Sequence, residues 1–256
     1  MIIKTMQWNI GGGKLLREGT DPTLLKSFTK DGLEEIIKVI KEKAPDIITL
    51  QETHASKGSS QAQSIAESLG YTYWYNDEYA QSHIEDGQRL GQAIISRFPV
   101  VEHSFQLFNN PNFEVIWEDG SFAKSHDKGR TRCKIRLPDG ALVVVQTFHA
   151  VPFRRFKIDP KSEEAKTVLN DMSSKLLTSG QKSIIQADFN IDADKLEELF
   201  PLLFSAGFKA AFQPNPTTTR GHTYDCLLSD GVKILECEVF KNVLTDHFPL
   251  ITTLDV

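Results

Sequence analysis

Ser183-Ile184-Ile185-Gln186-Ala187-Asp188-Phe189-Asn190-Ile191 is an apolar run that ends abruptly in a carboxylate and an amide. Asp188 and Asn190 lie two apart, so on a continuing strand their side chains would point to one side. Read alone, the stretch is a strand entering a turn, because Asp and Asn both favour turns. The rest of the chain shifts that reading, because other strands end the same way.

Ile2–Ile10 reads as a strand ending at Trp8-Asn9-Ile10 and is stopped by Gly11-Gly12-Gly13. Leu33, Ile36, Ile37 and Ile40 share a helical face, and Asp31 with Glu34 resembles a capping box. Ala44-Pro45 closes that helix. Asp46–Gln51 is a short apolar strand ending at Glu52. Gln61–Leu69 reads as a helix stopped by Gly70. Tyr71–Tyr75 reads as a strand, and the polar stretches Asn76–Arg89 and Glu118–Gly129 read as loops. Gly91–Arg97 and Val100–Phe108 are further strands.

Two turn signals predict hairpins. Pro138-Asp139-Gly140 joins Arg130–Leu137 to Ala141–Ala150, which ends near His149, and Ser229-Asp230-Gly231 joins Thr223–Leu228 to Val232–Phe240. Ser162–Leu177 is read as a helix, as is the stripe Leu196, Leu199, Phe200 and Leu203, with Pro201 starting or kinking a turn. Thr245-Asp246-His247-Phe248-Pro249 leads into a last strand, Leu250–Leu254. Strands predominate and helices fall between some of them, which fits two packed sheets with helices outside.

The 256 residues are 40% hydrophobic and 25% charged, ordinary for a globular chain with a sizeable core. No linker or low-complexity run divides them, so one domain over residues 1–256 is expected. A net charge of -5 argues against coating nucleic acid by bulk charge, yet leaves room for a local basic groove. Cys133, Cys226 and Cys237 have no metal-site spacing and read as free thiols in a reducing, cytoplasmic compartment. Neither a secretory leader nor a stretch of transmembrane length is apparent. A monomer is expected.

Strand ends thus carry Asn9, Glu52, His149, Asp188 with Asn190, Asp225, and Asp246 with His247. Gathered together, four carboxylates would repel one another unless a cation or proton sat among them. Oxygen donors without cysteine suit Mg²⁺ or Mn²⁺, and Mg²⁺ commonly takes substrate phosphate oxygens as its remaining ligands. Singly, these residues also pass as a turn residue, a loop cap, a solvated charge or, for His149, a satisfied buried histidine.

In order, Trp8-Asn9-Ile10, Leu50-Gln51-Glu52, Thr147-Phe148-His149, Ala187-Asp188-Phe189-Asn190, Tyr224-Asp225 and Thr245-Asp246-His247 resemble the endonuclease/exonuclease/phosphatase superfamily from Asn9 to His247. The resemblance implies a four-layer α/β sandwich, two packed mainly antiparallel sheets flanked by helices, and Mg²⁺-dependent cleavage of phosphate esters. It implies Glu52 as the main metal ligand with Asn9 and Asp246 nearby. Asp188 would position and help deprotonate the attacking water, and Asn190 would contact phosphate and nucleophile. His247, held by Asp225, would assist the water or stabilise the phosphorane. His149 would bond a phosphate oxygen or protonate the leaving group. Asp77 or Glu78 would support the first histidine.

For substrate contacts, Arg130, Arg132 and Arg154 are the candidates, with Phe153 and Phe156 either stacking on bases or anchoring their loop. His54, His83, His103, His126 and His222 are read as structural. Three functions follow: a phosphodiester nuclease acting on nucleic acid, a phosphatase or phosphodiesterase of a small-molecule or lipid phosphate, and a non-catalytic binding module with the same fold.

Overall fold

Period-two alternation in two parallel strand pairs sets the architecture. The computed structural model describes residues 1–178, 180–211 and 213–256. In one sheet, Ile2–Asn9 runs parallel to Ile47–Ser56; in the other, Leu142–Phe148 runs parallel to Ser183–Asp188. Each pair is joined by a crossover containing a helix, Leu33–Lys43 or Glu163–Leu176. The remaining large strands pair antiparallel around them. The first sheet has the order Lys233–Val239, Leu250–Asp255, Ile2–Asn9, Ile47–Ser56, Arg89–Ser96, Tyr73–Gln81. The second has Lys209–Ala210, Asp225–Asp230, Ser183–Asp188, Leu142–Phe148, Gly129–Arg136, Val100–Leu107.

Alternate residues of each strand serve different layers. Met6, Trp8, Ile48 and Leu50 pack outward on Ile36, Ile40 and Ile65 of the helices. Ile185, Ala187 and Phe189 pack outward on Val168, Leu169, Met172 and Phe200. Ile3, Ile47, Val145, Ile184 and Leu227 meet between the sheets. Helix, sheet, sheet and helix therefore stack as four layers, the α/β sandwich expected from the sequence.

Toward one end, the layer between the sheets turns polar. Gln7 Nε2 donates to Gln51 Oε1 and to Asp225 Oδ1, both at 2.7 Å, and Gln51 Nε2 donates to Thr147 Oγ1 at 2.7 Å. Gln92 Nε2 donates to the Gly129 and Thr147 carbonyls. Buried amides paired this way fix the relative position of the sheets where the strands end.

Several sequence expectations are corrected. The Ser229-Asp230-Gly231 turn does not close a hairpin. Asp225–Asp230 pairs in the second sheet, while Lys233–Val239 pairs with Leu250–Asp255 in the first, so the chain changes sheets at Gly231, whose φ is 66°. Asn76–Arg89 is not all loop: the strand Tyr73–Gln81 extends into it and pairs antiparallel with Arg89–Ser96. Within Glu118–Gly129, Phe122–Lys124 pairs with Glu114–Ile116. The capping box at Asp31 is absent. Gly32 takes the N-cap position with no side-chain cap, and Asp31 accepts from Lys14 Nζ at 2.6 Å instead. The helices Gln61–Leu69 and Glu163–Leu176 are capped by Ser60 and Ser162. Among the described residues, no helix is long and apolar enough to cross a membrane.

Candidate active site

The topology itself gathers the strand ends. In a parallel pair both carboxyl ends lie on one edge, and an antiparallel neighbour begins there. Asn9 pairs with Gln51, so Asn9 and Glu52 emerge together. His149 bridges to Asp188 in parallel, and Asp225 opens the strand opposite Asp188. Asp246 and His247 precede Leu250, which pairs with Gln7. The Trp8 indole N–H donates to Thr245 Oγ1 and to the His247 carbonyl, fixing that loop.

Glu52 reaches the site through an irregularity. By alternation it would point outward with Leu50. The register slips between Gln51 and Thr53, leaving Glu52 unpaired as a bulge with φ 51°. Its carboxylate thereby lies 3.5 Å from His149 Nδ1, on the side of Gln51. Asn190 also adopts a left-handed backbone, at φ 50°. Residues other than glycine take this conformation at some cost, and such strain clusters at functional sites.

Asp188 lies at the centre. Asn9 Nδ2 donates to its Oδ2, and the Asn190 backbone N–H donates to its Oδ1, both at 2.9 Å. Asn190 Nδ2 donates to the Ala150 carbonyl at 3.0 Å, which leaves its side-chain oxygen for another partner. His247 Nδ1 and Asp225 Oδ2 are 2.8 Å apart, fixing the ring and aiming Nε2 at Asp188 Oδ2, 3.8 Å away. His149 Nε2 lies 3.5 Å from the same oxygen. Asp246 Oδ2 is 4.0 Å from His247 Nε2.

Burial and crowding shift these groups. Burial, with the carboxylates of Asp246 and Asp188, pushes Glu52 up to about 7 against the pull of Lys128 and His247. Burial likewise raises Asp188 to about 6, helped by Asp225 and opposed by His247. Burial alone would lower His247, but the carboxylates of Asp225, Asp188 and Asp246 outweigh it and hold the ring well above its ordinary value. His149 goes the other way: burial, then the cations Lys128 and His247, hold it well below.

These donors fit a hard divalent cation. Glu52, Asp246 and Asn9 offer oxygens, and Glu52 is a half-buried carboxylate, 13% exposed, without a hydrogen-bond donor among the described residues. One ligand-type atom each from Asp188, Asp225 and His247 also falls within 4.8 Å of the others. There the Asp225–His247 hydrogen bond already engages two of the three.

Other expectations fare differently. Asp77 bonds His103 and the Thr131 hydroxyl, and Glu78 bonds Arg89, so neither supports His149. Arg130 and Arg132 alternate with Thr131, whose hydroxyl reaches between the sheets, so both face the other way. Arg130 donates to Gln106 and Gln146, and Arg132 pairs with Glu102 at 2.6 Å. The structure does not bring either into the cluster. Arg154 is exposed beside His222 and Tyr224, whose rings stack at 4.4 Å. Phe153 and Phe156 are buried and anchor their turn.

Sequence reasoning missed Lys128 and Tyr79. Lys128 is 4% exposed, and its Nζ lies 5.5 Å over the Tyr79 ring. Its Nζ makes no hydrogen bond or ion pair among the described residues, and burial lowers it to about 8 although Glu52 and Asp188 pull it up. The buried Tyr79 hydroxyl has no partner among the described residues and is pushed well up by burial, then by Glu52 and Asp188. No local motif marks either residue. A buried lysine is recognised only once the fold is known.

A four-layer sandwich with paired imidazoles and crowded carboxylates at the edge of both sheets defines a hydrolase of phosphate esters. The model of the Endonuclease/Exonuclease/phosphatase family matches residues 6–226, and the chain belongs to that family. The following solved structures are similar in fold and distant in sequence. An endonuclease/exonuclease/phosphatase from Beutenbergia cavernae is 17% identical with TM-score 0.75, over 100% of this chain and 72% of that one. The human Nocturnin catalytic domain with bound sulfate is 17% identical with TM-score 0.70, over 99% and 93%. A Bacteroides thetaiotaomicron mannosyl-6-phosphatase is 16% identical with TM-score 0.60, over 99% and 100%. No curated protein sequence matches the chain significantly.

Proposed function

We propose that this enzyme is a Mg²⁺- or Mn²⁺-dependent phosphodiesterase of the nuclease type, working by in-line attack of water. The observation that carries this reading is the two-sided hold on Asp188 beside the unpaired Glu52 carboxylate. Glu52, with Asn9 and Asp246, would hold the cation, which supplies charge neutralisation and polarises the phosphoryl oxygen.

The chain's own groups divide the rest. Asp188, its oxygens oriented by Asn9 and Asn190, accepts a proton from the attacking water. The free Asn190 oxygen accepts from that water and fixes its approach. The carboxylates of Asp225, Asp188 and Asp246 favour the charged form of His247, so of its two expected roles stabilising charge on the phosphorane suits it better. Burial and the nearby Lys128 and His247 charges favour the neutral form of His149, which suits donating a hydrogen bond to a phosphate oxygen over acting as a strong acid. Lys128 adds a buried positive charge where the transition state gains negative charge.

A small-molecule or lipid phosphatase is the second reading. The engagement of Arg130 and Arg132 outside the cluster favours it, since a nucleic-acid groove loses two cations. The three free cysteines, Cys133 and Cys226 buried and Cys237 half-buried, suit a reducing compartment and support a cytoplasmic setting. Steady-state hydrolysis of DNA, bis(p-nitrophenyl) phosphate and p-nitrophenyl phosphate, with Mg²⁺, Mn²⁺ or chelator, tests the proposal. The diester and DNA should be cleaved only with metal. Cleavage of the monoester alone would favour the phosphatase.

A further inference from the structure

A cavity of about 240 Å³ opens beside the cluster. Lys128 belongs to both, and Val151 and Pro152, just after His149, form part of its wall. Its polar lining is Lys124, Lys128, Arg155, His83, His126 and Ser125, and no acidic side chain lines it. In a chain with net charge -5, a cavity with three cations and no carboxylate is an exception that calls for an anion.

The side chains of Lys128, His83, His126 and Arg155 make no hydrogen bond or ion pair among the described residues, so they are free to meet one. Lys128 is buried, and its Nζ has no hydrogen-bond partner among the described residues. His126 Nε2 is buried and also unpartnered, with its ring 5.7 Å from that of His83. Burial and the nearby Lys128 and Arg155 charges keep both imidazoles neutral. Each therefore carries one N–H to donate. Arg155 is exposed at the mouth, and Lys124 is held there by Glu114 at 3.1 Å. Lysine, a guanidinium and imidazole N–H groups together suit the several oxygens of a phosphate. The exposed Phe122 and the buried Phe156 give the same cavity an apolar wall for the group that carries it.

We propose that this cavity seats a second phosphate of the substrate, so that the enzyme prefers phosphate esters bearing another phosphate beside the scissile one. The proposal rests on the phosphoesterase reading of the adjoining cluster. The second phosphate has two sources, a terminal monoester or a neighbouring backbone diester.

Calorimetry on Asp188→Asn protein with Mg²⁺ tests it without turnover. The probes are a thymidine dinucleotide, the same dinucleotide with a phosphate at either end, and the trinucleotide. A second phosphate should tighten binding at least tenfold. A gain only with a terminal phosphate assigns the monoester, and an equal gain with the trinucleotide assigns the diester. Lys124→Gln with Arg155→Gln, both exposed and harmless to the fold, should abolish the gain and leave the plain dinucleotide within twofold. No gain from any second phosphate, or a gain that survives the double substitution, would overturn the proposal. Wild-type protein that shows this binding preference but hydrolyses none of the probes would sink the phosphoesterase reading instead.

Discussion

His149 and His247 bring their Nε2 atoms to 3.5 and 3.8 Å of one oxygen, Asp188 Oδ2, yet their surroundings push the two rings in opposite directions. The difference lies behind each ring. His247 Nδ1 is hydrogen-bonded to the Asp225 carboxylate at 2.8 Å, whereas His149 Nδ1 stands 3.5 Å from Glu52 Oε1 without a hydrogen bond among the described residues, and burial and the Lys128 charge oppose its protonation. Asp225→Asn should therefore lower kcat by about 10²–10⁴-fold with KM little changed, by analogy with carboxylate-oriented histidines elsewhere. It should also release His247 toward neutrality at pH 7. Imidazole NMR resonances followed against pH check this, and an unchanged His247 titration would contradict it.

Glu52 makes the metal-free protein sensitive to pH. Its folded value is raised from 4.5 to about 7, so the folded state keeps a proton that the unfolded chain gives up. The stability it contributes is fully present below about pH 4.5 and is lost as pH rises through about 7. Glu52→Gln should remove this slope, a difference on the order of 3 kcal/mol between the two ends of the window. Urea melts of the two proteins across that range measure it. Added Mg²⁺ should raise the wild-type Tm more at the alkaline end.

Lys128→Met should lower kcat by about 10²–10³-fold, the scale of losing one preorganised charge at a transition state. The variant should remain folded, because an unpaired buried cation gives way to an apolar side chain of similar length. Activity and thermal melts measured together separate the two effects.

Gly129 precedes Arg130 on the strand beside the cluster. An added Cβ would lie 2.7 Å from the Gln106 carbonyl and 2.7 Å from the Phe105 ring. Gly129→Ala should destabilise by about 1–3 kcal/mol, the usual cost of overpacking. A lowered urea midpoint with an unchanged m-value is the expected signature.

Much of this was legible because local pattern and final position agree. Ile184-Gln186-Asp188 and Ile185-Ala187-Phe189 alternate in the sequence as they do across the sheet. What the sequence hid depends on partners far along the chain. Ser229-Asp230-Gly231 has the chemistry of a hairpin turn, but the strands on either side find better partners in different sheets. Asn76, Asp77 and Glu78 look like loop because they are polar, yet each has a side-chain partner elsewhere in the fold: Thr53, His103 in the other sheet, and Arg89. Arg130 and Arg132 have the composition of a phosphate clamp, and the parity of their strand turns them away. Glu52 reaches the cluster only through a bulge that no residue type announced.

The central claim is that Asp188 handles the proton of the attacking water. Hydrolysis of bis(p-nitrophenyl) phosphate by wild type and Asp188→Asn, under saturating Mn²⁺, tests it most directly. The account predicts that kcat falls by at least about 10²-fold in the variant, the lower range for loss of a general base. Equal kcat in the two proteins would contradict it.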